Sequence, residues 1–351
     1  METINYETAV ALQPEKLRCL VENLGQSIGT IDQKWSPGET VGVVAMGASS
    51  HSAIALVTAL QQRGIRAVNL TASDLELTPM GFQPADHYVL VSESGRSPEP
   101  IQASRRLTSG QRIGITNVTD SPFAGVVDSL LSLGDFDDSA VYTVGYTATL
   151  VAYSMLVAGL VADSDAPTAQ LYSAAEIPGL VDKSLIQYAG QAARIGEALA
   201  GIRAVDFVGR GFSFATASEG ALMFREALQV PTGAFDTYQY LHGPMEPLAG
   251  GLGLIVFGDE RELPLVDSIL GSGAMVVLIT AASEDDFPQP KHANLTVVRI
   301  PGDITDFARA IVEIVIVQLI VGACARKTGR TIEGFRYHQE DTKLREQCAA
   351  N

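Results

Sequence analysis

Two carboxylates seven residues apart, Glu219 and Glu226, share one face of a helix-patterned stretch, and a strand-like run then leads to a His242-Gly243-Pro244 turn. A carboxylate and an imidazole on one rigid segment are residue types that can move protons at a carbon next to a carbonyl or imine. Flanked by Met223, Phe224 and Val230, Glu226 is expected to be partly desolvated, its pKa displaced upward toward the range of a working base. Glu219 reads as a contact behind Glu226 or to a ligand hydroxyl. Taken singly, a solvated carboxylate on an acidic chain and a satisfied loop histidine are the plainer readings. The rest of the sequence has to decide between them.

Two turns supply a second kind of chemistry. Gly47-Ala48-Ser49-Ser50 and Ser92-Glu93-Ser94-Gly95-Arg96-Ser97 each follow a predicted strand and open a predicted helix. Free N–H groups and the positive end of the helix dipole make such a turn an anion site, and serine hydroxyls add donors without charge. Serine and glycine are also ordinary capping and turn residues. Two such loops on neighbouring strands favour a phosphate cradle over capping, because open α/β sheets bind ligands at that place. Neither loop is followed by Gly-Lys-Ser/Thr, and neither shows GxGxxG, so nucleoside triphosphates and NAD are poor candidates. His51, just after the first loop, could reach a ligand or cap the helix.

The elements that must position these residues alternate. Strands are expected at residues 40–46, 67–70, 88–91 and 112–116, separated by helical segments, which implies parallel βαβ units. The pattern then repeats: Gly211 lies 164 residues after Gly47, as do Ser213 after Ser49 and Thr280 after Thr116. Three matches at one offset indicate an internal duplication. The serine-rich second loop becomes Gly258-Asp259-Glu260-Arg261 in the later copy, so a single composite site is expected. The expected division is a helical lead-in at 1–34, a first α/β unit at 35–165 with the phosphate loops, connecting helices at 166–200, a second unit at 201–330 with the acid/base pair, and a tail at 331–351.

Composition narrows the function classes. The chain has 351 residues, 46% hydrophobic and 18% charged, enough for two well-packed domains, and a net charge of −16 with no basic patch speaks against nucleic acid. Cys19, Cys324 and Cys348 are odd in number and widely spaced, and His87, His292 and His338 form no ligand set, so neither disulfides nor a metal is expected. The acidic start, Met1 to Thr8, lacks the order of a signal peptide, and a cytoplasmic location is expected. Residues 141–162 carry no charge, but aspartates flank them and threonines interrupt them, which predicts a buried helix and no membrane span. Residues 311–325, which include Glu313 and Gln318, are read the same way. Trp35 is expected to serve packing.

In combination, strand-Gly47-Ala48-Ser49-Ser50, strand-Ser92-Glu93-Ser94-Gly95-Arg96-Ser97-Pro98-Glu99, Gly209-Arg210-Gly211, Glu219-Gly220-Ala221-Leu222 and His242-Gly243-Pro244 resemble the double SIS (sugar isomerase) proteins over about residues 35–345. These include the isomerase half of glucosamine-6-phosphate synthase, glucosamine-6-phosphate deaminases of that fold and fructosamine-6-phosphate deglycases. The resemblance implies two tandem SIS domains, each a parallel sheet flanked by helices in a flavodoxin-like three-layer α/β/α arrangement. It implies that Ser49, Ser92, Ser94 and Ser97 hold a sugar phosphate, with Gly47 and Ser50 as possible contacts. It further implies that Glu226 moves a proton between C1 and C2 and that His242 helps open the ring, reaching the site of a neighbouring subunit in a homodimer. No cofactor is implied.

The sequence departs from that pattern at three places. Glu93 stands where glutamine is common, Met223 replaces a lysine one turn before the carboxylate, and Lys343 is near, but not in register with, the lysine that reacts with the open ketose. The Arg336-Tyr337 pair in the tail and the missing lysine tilt the resemblance toward deglycase or deaminase chemistry. The expectation is an isomerase or deaminase/deglycase acting on a hexose 6-phosphate. The alternative is a catalytically silent sugar-phosphate-binding regulator. No glutaminase half is expected from this sequence, and ammonia from glutamine is therefore not expected to be made here.

Overall fold

The computed structural model describes residues 2–161, 172–287, 292–337, 339 and 341–344; His338, Cys348 and positions 166–171 of the expected connector lie outside them. The first half contains β1 (Thr40–Ala45), β2 (Arg66–Thr71), β3 (His87–Val91), β4 (Arg112–Thr116) and β5 (Ser129–Ser132). Around them lie α1 (Tyr6–Gly29), α2 (Gly47–Gln61), α3 (Pro98–Arg106) and α4 (Val144–Leu160). After α5 (Ile177–Leu199) the second half adds β6 (Val205–Gly209), β7 (Thr232–Asp236), β8 (Gly253–Phe257), β9 (Met275–Thr280) and β10 (Leu295–Arg299). Its helices are α6 (Phe212–Leu228), α7 (Thr237–Tyr240), α8 (Glu262–Ile269) and α9 (Asp306–Thr328).

Among the described residues the strands form two five-stranded parallel sheets, in the orders β2-β1-β3-β4-β5 and β7-β6-β8-β9-β10. The second order repeats the first, copy for copy, and both have the flavodoxin-like switch point where the order reverses, beside the first strand of each copy. The duplication read from the sequence is visible in the backbone too: Gly47 and Gly211 both take positive φ, at 53° and 59°, where a strand turns into its helix. The edge strands β5 and β10 were not expected. Ser129–Ser132 has one buried position in four, and Leu295–Arg299 has two in five, so neither carries the apolar run of a central strand.

The central strands are buried at all but at most one position each, and β8 has all five residues buried. The uncharged stretch of the first half is α4, with 14 buried residues named from Val144 to Leu160, as expected of a core helix. Among the described residues α9 is long and apolar enough to cross a membrane, and 89% of its most apolar window is buried inside the fold. Each fully buried Val, Leu, Ile or Phe of these helices contributes about 1.5–3 kcal/mol.

α1 is not peripheral. It is capped by the Asn5 side chain, which accepts from the N–H groups of Glu7 and Thr8, and it packs on α4 and α5. A buried amide chain ties the outer helices together: Gln13 Nε2 donates to Gln318 Oε1 (2.8 Å) and Thr147 Oγ1 donates to Gln13 Oε1 (2.9 Å). The Tyr6 hydroxyl adds a bond to the Gln318 carbonyl (3.1 Å). Trp35 is fully buried and its backbone N–H donates to Leu160 O across 2.8 Å.

The switch point of the second sheet is filled from within. Arg309 of α9 pairs with Asp259, two residues beyond β8, and donates through Nε to Glu313 Oε1 at 2.9 Å. Ser213, just after β6, donates to the same Glu313 oxygen (2.9 Å), and Thr280 donates to Asp259 (2.9 Å). Glu313 is wholly buried, and burial holds its pKa up against the pull of Arg309. Arg309→Met should therefore strand a buried carboxylate and cost about 3–5 kcal/mol in urea unfolding. The loss should shrink as pH falls, because Glu313, whose pKa burial holds above the ordinary carboxylate value, takes a proton; a loss independent of pH would show that packing, not charge, was removed.

Candidate active site

The switch point of the first sheet lies between β1 and β3, and the loops leaving those strands are the two serine turns. α2 begins at Gly47 without a side-chain cap, and α3 begins after Ser97 with Pro98 at its first position and no side-chain cap bond. Ser92 Oγ is buried without a hydrogen-bond partner, and Ser94 Oγ accepts only a long bond, 3.4 Å, from the Arg96 N–H. Ser49 and Ser97 are half-buried at the starts of α2 and α3. Ser50 is engaged elsewhere, its carbonyl accepting from Asn69 Nδ2 at 2.9 Å on β2.

α6 crosses α2 in the opposite direction. Thr58 near the end of α2 lies against Gly211, where a Cβ would be 3.5 Å from its methyl group, while His51 Nδ1 lies 3.0 Å from Glu219 Oε2. Counting on along both helices, Met223 falls level with Gly47, and Glu226 lies about one turn beyond the start of α2. The carboxylate from the second half thus comes to the serine loops of the first. Glu226 is half-buried, and its pKa is pushed up to about 8, first by burial and then by the charge of Glu219, with Arg225 pulling the other way. Glu219 does not lie on a solvated face: it is 2% exposed, turned onto α2 through His51.

Glu93 turns inward rather than away from the loops. It is 7% exposed, and neither carboxylate oxygen has a hydrogen bond within 3.5 Å. A Cβ on Gly145 would come within 2.9 Å of Glu93 Oε1, so the start of α4 is glycine where this acid packs. Burial raises the Glu93 pKa to about 7, with the Asp138 charge adding to it, and longer polar contacts from Tyr142 and Asn117 and the Lys343 charge only partly offset this. With Ala48, Ser49, Ser52, Tyr142, Gly145, Tyr146 and Thr149 it lines a cavity of 10 Å³, the room of about one water.

The tail completes this end of the molecule. Arg336 bonds Gln229 at the end of α6, and Phe335, Arg336 and Tyr337 border a 420 Å³ groove that also contains Glu226. Farther on, Lys343 Nζ donates to Tyr142 Oη (3.2 Å) and the Leu344 N–H donates to Arg96 O (2.9 Å). Burial and the Glu93 charge hold the Tyr142 hydroxyl pKa up, and the Glu226 charge adds to this. The fold thus gathers Ser49, Ser92, Ser94, Ser97, Glu226 and Lys343 at one end of the first sheet.

His242 is not brought to them within one chain. α6 runs back to the leading edge of the second sheet, β7 starts there, and His242 follows β7 on an exposed turn. The five residues of β7 separate Glu226 from that turn by about 17 Å. Tyr142 and Asp138 escaped the sequence reading. Asp138 caps α4, accepting from the N–H groups of Thr143 (3.1 Å) and Gly145 (2.8 Å), and looked like one acid of a flanking cluster. Among the described residues no cluster of His, Cys, Asp and Glu could hold a metal ion.

Similarity to known proteins bears on this arrangement. No family model matches the chain. It is 26% identical over 262 residues to a glutamine–fructose-6-phosphate aminotransferase (isomerizing) of Sulfurisphaera tokodaii, which covers 73% of this chain and 43% of that protein. The chain thus spans about half the length of the curated relatives it matches. Among solved structures, the C-terminal domain of glucosamine-fructose-6-phosphate aminotransferase from Francisella tularensis superposes with a TM-score of 0.75 at 16% identity, covering 94% of this chain and 97% of that one. The chain has the double sugar isomerase fold. A glucosamine-6-phosphate deaminase of Thermotoga maritima shares this double SIS fold, with a TM-score of 0.71 at 19% identity over 96% and 99% of the two chains.

The state of Glu93 can be read from stability. The unfolded chain releases this proton near 4.5 and the folded chain near 7, so stability falls as pH rises through that window, by about 3 kcal/mol from this group. Glu93→Gln should remove that decline in chemical denaturation between pH 4.5 and 7.5; an unchanged pH profile would mean that the carboxylate is solvated.

Proposed function

We propose that the chain is an enzyme acting on a hexose 6-phosphate, an amino sugar or fructosamine adduct, by ring opening and proton transfer between C1 and C2. The observation that carries the reading is the position of Glu226, a half-buried carboxyl with its pKa near 8, one turn beyond the loops at the first sheet's switch point. In this reading the phosphate lies on the hydroxyls of Ser49, Ser92, Ser94 and Ser97 and on N–H groups at the starts of α2 and α3. The open-chain sugar then extends toward α6. Glu226 takes the proton from the carbon next to the carbonyl or imine, and the C–H electron pair becomes the double bond of an enediol or enamine. Returning the proton to the neighbouring carbon completes an isomerisation; where this leaves an imine, addition of one water to its carbon and cleavage of the C–N bond release the amine with a proton and leave a carbonyl, which completes a deamination or deglycation. Met223 leaves no amine at that turn of α6, which supports the second outcome.

His242 in this reading serves the site of a second copy, because its own Glu226 lies at the far end of β7. The decisive assay is incubation with fructose 6-phosphate, glucosamine 6-phosphate, its N-acetyl form and fructosamine 6-phosphates, following sugar phosphate and released amine together. Binding without turnover of any of these would make the chain a sugar-phosphate sensor.

On a substrate that turns over, Glu226→Gln should lower kcat by about 10²–10⁴ with sugar-phosphate binding retained; a wild-type rate would remove Glu226 from the mechanism. Because the base form is the carboxylate, kcat of the wild type at saturating substrate should rise with pH and level off above about 8.

A further inference from the structure

We propose that Glu93 makes phosphate binding at the serine loops proton-linked, so that the loops take a phosphate dianion only when this buried acid is protonated. The inference rests on the reading of those loops as a phosphate cradle and adds to it a residue that sets what the cradle accepts.

The two copies of the fold show what is unusual about Glu93. Each places an acid two residues beyond its third strand, Glu93 after β3 and Asp259 after β8. In the second copy the acid meets Arg309 from the first turn of α9. Burial works against ionisation of Asp259, but the Arg309 bonds hold its pKa below the ordinary value. In the first copy the first turn of α4 carries Gly145 against the acid, with no side chain to pair it. Glu93 is left 7% exposed with no basic side chain bonded to it, only polar contacts from Tyr142 and Asn117, in a cavity it shares with Ser49 and Ser52.

The groups around Glu93 do not replace that arginine. Asp138 on the loop before α4 is a second buried carboxyl, and Tyr142 presents a neutral hydroxyl. Asn117 after β4 and Tyr146 on α4 are neutral, and α2 contributes Ser49 and Ser52, with His51 committed to Glu219. Across the site, α6 carries the carboxyl of Glu226, whose charge is felt at Tyr142. The cations are Arg96 on the same loop and Lys343 on the tail, whose Nζ bonds Tyr142. A phosphate dianion brought to Ser49, Ser92 and Ser94 would face an ionised Glu93 across a low-dielectric cavity, which is strongly unfavourable. A neutral Glu93 instead offers an O–H donor. The balance is one proton taken from solvent for each dianion bound whenever Glu93 starts ionised.

Isothermal titration of fructose 6-phosphate and of inorganic phosphate, in buffers of different ionisation enthalpy, measures this proton directly on the wild-type chain. With the free acid titrating near 7, affinity should fall by about 16-fold between pH 7 and 8.5, with close to one proton taken up at the upper end. Glu93→Gln should abolish the uptake and bind about 30-fold more tightly than the wild type at pH 8.5. Glu226→Gln, which also removes a group titrating in this range, should keep the slope. Binding with no proton uptake, or a slope unchanged in Glu93→Gln, would overturn the role of Glu93 while leaving the cradle standing. Failure of either ligand to bind the wild type and Glu93→Gln at any pH would overturn the cradle itself and this inference with it.

Discussion

The antiparallel contact of α2 with α6, pinned where His51 meets Glu219, decides which end of each half faces the other. In an isolated parallel α/β unit the helix ends and the ligand-binding strand ends lie on opposite edges. Pairing the helices head to tail brings the end of α6, with Glu226, to the loops after β1 and β3. Neither half contains both sets of groups. The burial that raises the Glu226 pKa and the proximity that couples it to Tyr142 both follow from this one contact. A parallel pairing would have put the carboxylate against solvent at the far edge of the molecule.

Duplication supplied two switch points, and their different fates are told by a few side chains. The second is occupied by its own ion network of Arg309, Asp259 and Glu313, closed by Ser213 and Thr280. Those charges satisfy one another and leave no group unpaired for a ligand except one oxygen of Glu313. The first keeps small residues, Gly145 and Ser49, and an acid with no basic partner bonded to it. An unsatisfied buried carboxyl costs stability, and its persistence is the kind of local cost that functional sites carry.

Most of the architecture was legible because central strands in a parallel sheet must be continuous apolar runs, and residues 112–116 were read with their observed limits. Edge strands lack that constraint, which is why Ser129–Ser132 and Leu295–Arg299 escaped. The serine loops were legible because a strand, a small-residue turn and a helix follow one another in the chain. What sequence could not supply was direction in space. It could not say that Glu93 points inward, that Glu219 is buried on α2, or that Tyr142 receives Lys343 from 201 residues away. Asp138 was one acid among several until its oxygens were seen to close the start of α4.

The amide chain of Gln13, Thr147 and Gln318 has a meaning for biosynthesis. Its members lie 305 residues apart at the extremes, and each is wholly buried. As the chain leaves the ribosome, α1 and α4 meet well before α9 exists, and until then the Gln13 side chain has no Gln318 to bond. The first half must therefore wait with a polar groove and part of its apolar surface open to water. Closure comes only when the last long helix arrives, which makes the two halves a single cooperative folding unit despite their separate sheets.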